Sequence, residues 1–308
     1  MDTSALRQFI RLGRFRFLLS GFLPFLAGAL FALLRGAEVT PAQFLLGYAA
    51  MACAHLSTNY SNDVFDADAD RFGEVSPISG GSGVLVQNPS LRPYAMAFAF
   101  GLMILSIVIG WIFLTIYSFS YLFLAFGIAG NLLGWFYTAP PVRLAYRGLG
   151  EATNMITFGL LMPGSGYFVA MGTIDLAFLV FSVPFFLYGL VFITSVEIPD
   201  REGDIAGGKP TLIVRKGRPF GFGLIAFAAI AASGISFLLA ISGIFTPLNV
   251  WPLACISCIP LGIALWGFRH RCQDRAPALR YAQANILGYF LFTGLVSAYL
   301  SFAAFIAG

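Results

Sequence analysis

Two short acidic stretches in an otherwise apolar chain carry the residues best suited to chemistry. The first reads Asn62-Asp63-Val64-Phe65-Asp66-Ala67-Asp68-Ala69-Asp70, the second Glu197-Ile198-Pro199-Asp200-Arg201-Glu202-Gly203-Asp204. Nine of the 14 acidic residues fall between Asp63 and Glu74 or between Glu197 and Asp204. Carboxylates this close repel one another unless cations neutralise them, and apolar surroundings raise that cost. Two such clusters point to a site that holds divalent metal and, through it, a polyanion. If the first stretch continues a helix at about 100° per residue, Asn59, Asp63, Asp66 and Asp70 share a narrow arc. Asn62 lies at the edge of that arc and Asp68 points the opposite way. In the second stretch Glu197, Asp200 and Asp204 share a face and Glu202 lies off it. Spacing thus selects Asn62, Asp63, Asp66, Asp70, Glu197, Asp200 and Asp204 as metal ligands and leaves Asp68 and Glu202 as solvated charges. Hard oxygen ligands of this kind suit Mg2+ or Mn2+, and Mg2+ binds one or two carboxylates together with substrate phosphate.

A calcium loop is excluded. Asp66-x-Asp68-x-Asp70 opens like one, but such a loop needs Gly at its sixth position and Glu at its twelfth, where Arg71 and Pro77 stand.

Composition says what must position these residues. The chain is 58% hydrophobic and 10% charged, with mean hydropathy +0.83; a soluble domain carries about 25% charged residues. Its solvent must be lipid. Nine apolar runs are long enough to span a bilayer as helices: roughly 15–34, 42–61, 93–115, 118–137, 151–171, 175–197, 219–243, 249–268 and 282–306. They are continuous rather than alternating, which favours helices over a barrel. The expected fold is therefore an all-α integral membrane bundle of nine transmembrane helices, one domain over 1–308, with a cytoplasmic-side active site.

Of the 18 Lys and Arg residues, 17 lie in the N-terminal tail or the even-numbered loops, and only Arg35 lies on the other side. The positive-inside rule then places the N-terminus in the cytoplasm, the C-terminus outside and both acidic stretches on the cytoplasmic face. In a bacterial host the membrane would be the inner one. The net charge of +4 reflects topological anchors and gives no case for nucleic acid. No protein partner is implied. The first apolar run is too long for a cleavable signal, and eight more follow it. Cys255 and Cys258 form a C-x-x-C inside an apolar run without a second pair or nearby His, so they read as buried small residues rather than a zinc or redox site. His55 reads as a packed polar residue and His270 as a loop residue among arginines. The longest loops, about 62–92, 138–150, 198–218 and 269–281, all fall on the basic side, where function should sit.

A basic complement accompanies the acids. Tyr137-Thr138-Ala139-Pro140-Pro141-Val142-Arg143 leads to Arg147, and the second acidic stretch leads to Gly208-Lys209-Pro210-Thr211-Leu212-Ile213-Val214-Arg215-Lys216-Gly217. Basic residues at a membrane mouth anchor the chain, and beside bound Mg2+ they also grip a diphosphate.

With these motifs the chain resembles the UbiA superfamily of intramembrane prenyltransferases. The N-D-x-x-D-x-x-x-D motif stands intact as Asn62, Asp63, Asp66 and Asp70, and the D-x-x-x-D motif as Asp200 and Asp204. The string from Glu197 to Gly217, the Gly80-Gly81-Ser82-Gly83-Val84-Leu85 run and Gly164-Ser165-Gly166-Tyr167-Phe168 are similar to the 1,4-dihydroxy-2-naphthoate polyprenyltransferase branch; Val196 and Gly83 depart from its pattern. The resemblance implies Mg2+-dependent transfer of a polyprenyl group from an allylic diphosphate to an aromatic acceptor, of dihydroxynaphthoate type, in menaquinone-type quinone synthesis. Metal neutralises the leaving group so that the allylic C–O bond ionises. Asp66, Asp70, Asp200 and Asp204 would be the catalytic carboxylates. Arg143, Lys209 and Arg71 would hold the diphosphate, and Asn59, Tyr137 and Arg14 would line the substrate site. Other acceptors handled within the superfamily, among them 4-hydroxybenzoate, homogentisate, chlorin, haem, and sugar or glycerol phosphate, stay open. A cation transporter is the rival from another class; its carboxylates would be expected near the midplane on broken helices rather than at helix ends.

Overall fold

The structure, a computed structural model, describes residues 3–74, 76, 78 and 81–307. Pro77, which helped exclude the calcium loop, and Gly80 of the glycine run lie outside the described residues. All regular structure among the described residues is helical. Each apolar run forms a helix: α1 (Leu18–Leu34), α2 (Pro41–Asp66), α3 (Arg92–Ile116), α4 (Tyr121–Trp135), α5, α6 (Leu176–Ala206), α7 (Arg218–Ser242), α8 (Trp251–His270) and α9 (Arg275–Ala307). Helix α5 passes without interruption through Gly150–Ile156, a π-helical turn at Thr157–Leu161, and Met162–Met171. An amphipathic helix, Thr3–Leu12, precedes α1.

Six of these segments, those containing α1, α3, α6, α7, α8 and α9, are long and apolar enough to cross a membrane by length and composition. The chain is a multi-pass membrane protein. Helices α2, α4 and α5 fall short of that mark, α4 by length and α2 and α5 by polarity. Helix α2 carries His55, Ser57, Thr58, Asn59, Ser61 and Asn62 along its second half. Helix α4 has 15 residues, about 22 Å of helix. Helix α5 opens on Glu151, Thr153 and Asn154 and bulges at the π turn. These are the helices that build most of the cavity wall described below, and in α2 and α5 polar residues replace apolar ones there.

Side-chain caps close three starts: Thr40 Oγ1 accepts from Gln43 N at 3.1 Å, Ser120 Oγ from Leu122 N at 3.1 Å, and Asp175 Oδ1 from Phe178 N at 2.9 Å. Arg35, the exception to the charge asymmetry, lies 2.8 Å from the other oxygen of Asp175 and donates to Tyr167 Oη at 3.2 Å. A local partner therefore holds it.

Helix α6 runs through the core, with Phe178, Phe181, Phe185, Tyr188, Val191 and Ile198 buried against α5, α7 and α9. Helices α1 and α5 meet almost backbone to backbone. A Cβ at Gly166 would fall 1.8 Å from the Phe25 carbonyl oxygen, so only glycine fits. Large apolar side chains such as Phe227, Leu238 and Ile241 on α7 and Leu287 and Phe302 on α9 are exposed. So broad an apolar surface suits lipid rather than water. Cys255 and Cys258 correct an expectation: both are free and exposed on α8 rather than buried, because successive turns place them on its outward face. His270 ends α8 and stacks on Tyr281 with ring centroids 5.0 Å apart.

Candidate active site

Helix α2 ends at Asp66 with Ala67 as its C-cap. The chain then turns into a 3-10 segment, Asp70–Phe72. The helix expected to continue through Asp70 stops one turn early. Asp70 still reaches the other carboxylates, because the turn packs on the second acidic stretch. A Cβ at Gly203 would lie 2.8 Å from Gly73 Cα. This close approach requires glycine and brings Asp66 and Asp70 within electrostatic reach of Asp204, beside which Asp200 stands. Both acidic stretches thus meet at one end of the bundle.

Lys209 lies between them. Its Nζ is 2.7 Å from Asp66 Oδ2, and the Tyr146 hydroxyl donates to Asp66 Oδ1 at 2.8 Å. Lys209 Nζ and Arg143 Cζ sit over the Tyr146 ring, 5.5 and 4.8 Å from its centroid. Arg14 Nη2 is 3.3 Å from Asp63 Oδ1, while Ser82 N donates to Asp63 Oδ2 at 3.1 Å. The Asp70 carboxylate lies against Gly81, where an added Cβ would stand 2.2 Å from Oδ2. The described part of the glycine run therefore wraps the first acidic stretch.

Burial pushes the Asp70 carboxyl up to about 7; Lys209 pulls it down, Asp66 and Asp63 push it further up, and Arg14 lowers it. Burial pulls the Lys209 ammonium down, but Asp66, Tyr146, Asp70 and Asp204 outweigh it and hold its pKa raised.

The remaining expected residues divide. Asn62 lies in the site with its Oδ1 accepting from Thr138 Oγ1 at 2.8 Å. Glu197 is buried beside Glu151, which accepts from Leu212 N at 2.6 Å. Tyr137 and Arg14 line the cavity below. Asn59 lines it too, but its Nδ2 donates to the Gly13 carbonyl at 2.9 Å, which ties it to the entrance of α1. Arg71 does not join the cluster. It pairs with Asp68 at 3.2 Å, both exposed, because the 3-10 turn directs it to the outer side. Arg92 meets the same Asp68 at 3.3 Å. Glu202 forms a bidentate pair with buried Arg218. Sequence reasoning missed Tyr146, Thr138, Ser82 and Glu151. Tyr146 had one legible signal, an aromatic between two arginines in a loop beside the site; the others join through tertiary packing alone.

The donor set fits a hard divalent ion. Glu197 Oε2 is buried without a hydrogen-bond partner and Asp63 Oδ1 has only the 3.3 Å ion pair with Arg14, so both oxygens keep lone pairs that a hard cation can take. Among the described residues no three acidic, His or Cys side chains already converge in ligating geometry. Lys209 and Arg14 supply positive charge among the carboxylates.

Beneath the cluster a cavity of about 300 Å³ runs into the bundle. Arg14, Asn59 and Asn62 line its polar end; Met51, Leu124, Phe126, Leu161 and Ile193 line much of the rest. Such a space takes a molecule with unlike ends, an anionic head against cations and an apolar body between helices.

Fold and site together are those of a helical membrane bundle whose carboxylate-rich mouth opens on an apolar cavity. The chain belongs to the UbiA prenyltransferase family, whose sequence profile matches residues 21–292. It is 26% identical over 298 residues to 1,4-dihydroxy-2-naphthoate octaprenyltransferase of Bacillus subtilis, covering 92% of this chain and 90% of that one. It is 25% identical over 246 residues to 2-carboxy-1,4-naphthoquinone phytyltransferase of Synechocystis, covering 78% and 75%. The fold is similar to that of a UbiA homologue from Archaeoglobus fulgidus bound to GPP and Mg2+, with TM-score 0.70, 16% identity, and 96% and 99% of the two chains covered. A homologue from Aeropyrum pernix gives TM-score 0.68 at 15% identity, covering 92% and 98%.

Proposed function

We propose that this prenyltransferase moves a polyprenyl group from an allylic polyprenyl diphosphate to an aromatic acceptor of the 1,4-dihydroxy-2-naphthoate type, in menaquinone-type quinone synthesis. The observation that carries the donor side is the meeting of both acidic stretches around Lys209 at the mouth of an apolar cavity. Relatives named for naphthoate substrates support the acceptor.

In this reading Asn62, Asp63, Asp66, Asp70, Glu197, Asp200 and Asp204 are the residues toward which Mg2+, or Mn2+, is drawn; that a neighbour of the same fold is bound to GPP and Mg2+ supports a divalent metal here. The ion, when bound, neutralises charge on the leaving diphosphate. Lys209, with Arg143 beside it over Tyr146, holds the diphosphate head by charge-assisted hydrogen bonds. Tyr146 orients Asp66 through its hydroxyl. Arg14 brings positive charge to the boundary between head and cavity. The apolar walls exclude water from the ionising allylic carbon, so that the acceptor ring captures it. Arg71 has no part in this reading.

All nine helices are proposed to cross the bilayer, with the N-terminus and the acidic site cytoplasmic and the C-terminus outside, in the inner membrane of a bacterial host. No soluble partner is needed. The test is to give purified protein Mg2+, a polyprenyl diphosphate and a panel of acceptors, and to identify products by mass spectrometry. Prenylated naphthoquinol is expected. Product from 4-hydroxybenzoate, homogentisate or glycerol phosphate alone would overturn the acceptor while keeping the reaction class.

A further inference from the structure

Deeper in the cavity stands a group of polar side chains that the diphosphate site does not use. His55 on α2, Asn131 on α4 and Ser106 on α3 all line the wall. Polar groups at this depth of a membrane bundle are costly and need partners. Asn131 is fixed: its Nδ2 donates to the Gly127 carbonyl at 2.9 Å and to Ser106 Oγ at 3.1 Å. Its Oδ1 is buried with no donor, although the residue is 95% buried, with 5% exposure. His55 Nδ1 is likewise buried without a partner. It packs toward Gly21, where an added Cβ would come within 2.8 Å of it.

A proton on Nδ1 would be a buried, unsatisfied N–H, so the favoured tautomer carries it on Nε2. The ring as a whole is only partly buried, and its free surface belongs to the cavity wall. His55 therefore offers an N–H donor to whatever fills the space. Ser106 Oγ already accepts from Asn131, which leaves its own proton to give.

The register of the helices puts these groups together. In the up-down order of the bundle α2 and α4 run parallel, and they touch where a Cβ on Gly134 would lie 2.3 Å from Thr58 Oγ1. His55 and Asn131 each precede that contact by three residues, which puts them at about the same depth, roughly 4.5 Å along each axis. Asn62, the first residue of the acidic motif, stands seven residues further along α2, roughly 10 Å away along the axis. Between the two levels there is room for a flat ring system set against an allylic carbon.

We propose that His55, with the Asn131–Ser106 pair, is a specificity subsite for an oxygen-bearing aromatic ring, gripping a hydroxyl on the edge that faces away from the diphosphate. A hydroxyl accepts from His55 Nε2–H at the level of the Ser106 hydroxyl that Asn131 holds, contacts that a neutral hydrocarbon tail cannot make. The proposal deepens the acceptor side of the proposed function and rests on it.

The test is direct binding of fluorescent 1-hydroxy-2-naphthoate to the detergent-solubilised full chain, without turnover. Wild type should bind it, and His55→Leu should bind about tenfold more weakly, the loss of one hydrogen bond from a buried site. His55→Gln, which keeps an N–H near the same place, should recover most of the affinity, and Asn131→Leu should weaken it similarly. In the steady state His55→Leu should raise KM for the aromatic acceptor and leave KM for the polyprenyl diphosphate within about twofold. Unchanged thermal unfolding and Mg2+–diphosphate binding identify properly folded variants. Equal probe binding by wild type and His55→Leu, no binding by wild type, or a rise in the diphosphate KM alone overturns the subsite. The last outcome would assign this depth to the prenyl tail. His55-dependent probe binding without prenyl transfer to any aromatic would instead overturn the proposed reaction and leave the subsite standing.

Discussion

Burial and Lys209 act on Asp70 in opposite directions, and burial wins, pushing its carboxyl up to about 7. Below that pH a proton occupies a carboxylate that the proposed metal must share, so Mg2+ affinity should fall by up to about tenfold per pH unit below about 7, with proton release on binding. Mg2+ titrations followed by thermal shift at pH 6 and pH 8 check this; equal affinities would refute it. Without metal the same raised pKa makes folding stability decline as pH rises from about 4 through about 7, since the folded carboxyl holds its proton more tightly than the unfolded one. Asp68 gives the contrast. It is exposed and paired with Arg71 and Arg92, so Asp68→Ala should change kcat/KM by less than about threefold, as surface ion pairs contribute little. A complete loss of turnover would contradict its placement outside the site.

At the scale of elements, the site depends on one turn lying flat against one helix. Gly203→Val would drive a side chain into the Gly73 backbone and separate the two acidic stretches. The expected result is at least a tenfold loss of Mg2+ affinity and of turnover, whereas Gly234→Val on α7, where an added Cβ meets nothing within 4 Å, should leave both near wild type. Steady-state rates against Mg2+ concentration for the two variants decide the matter. Much of this was readable beforehand. Helical spacing separated Asp68 and Glu202 from the other acids, and the apolar runs located every long helix. What the sequence hid was tertiary. The α2 helix ends at Asp66, and the following turn packs on α6, where Gly73 meets Gly203. That choice turns Arg71 outward and admits Tyr146 and Ser82, residues whose spacing to the motif along the chain carries no period. Cys255 and Cys258 were misread as buried because their surroundings in sequence are apolar whether lipid or protein covers them.

For the whole molecule, the charge asymmetry and the site agree on one face. The basic residues of the even-numbered loops surround the end of the bundle where the acids meet, and Arg35 at the other end is held by Asp175. A reporter fused to the C-terminus should therefore behave as external, and one at the N-terminus as cytoplasmic; the reverse pattern would contradict the proposed topology. Helices α2, α4 and α5 surround the cavity, and α2 and α5 carry their polar residues where a substrate would meet them. The central claim is that both acidic stretches act on one diphosphate. It is tested most directly by Mg2+-dependent turnover of a polyprenyl diphosphate and an aromatic acceptor by wild type, Asp66→Ala and Asp200→Ala, each with an unchanged unfolding midpoint. Either substitution alone should lower turnover by about a thousandfold or more. Full activity in both variants would contradict it.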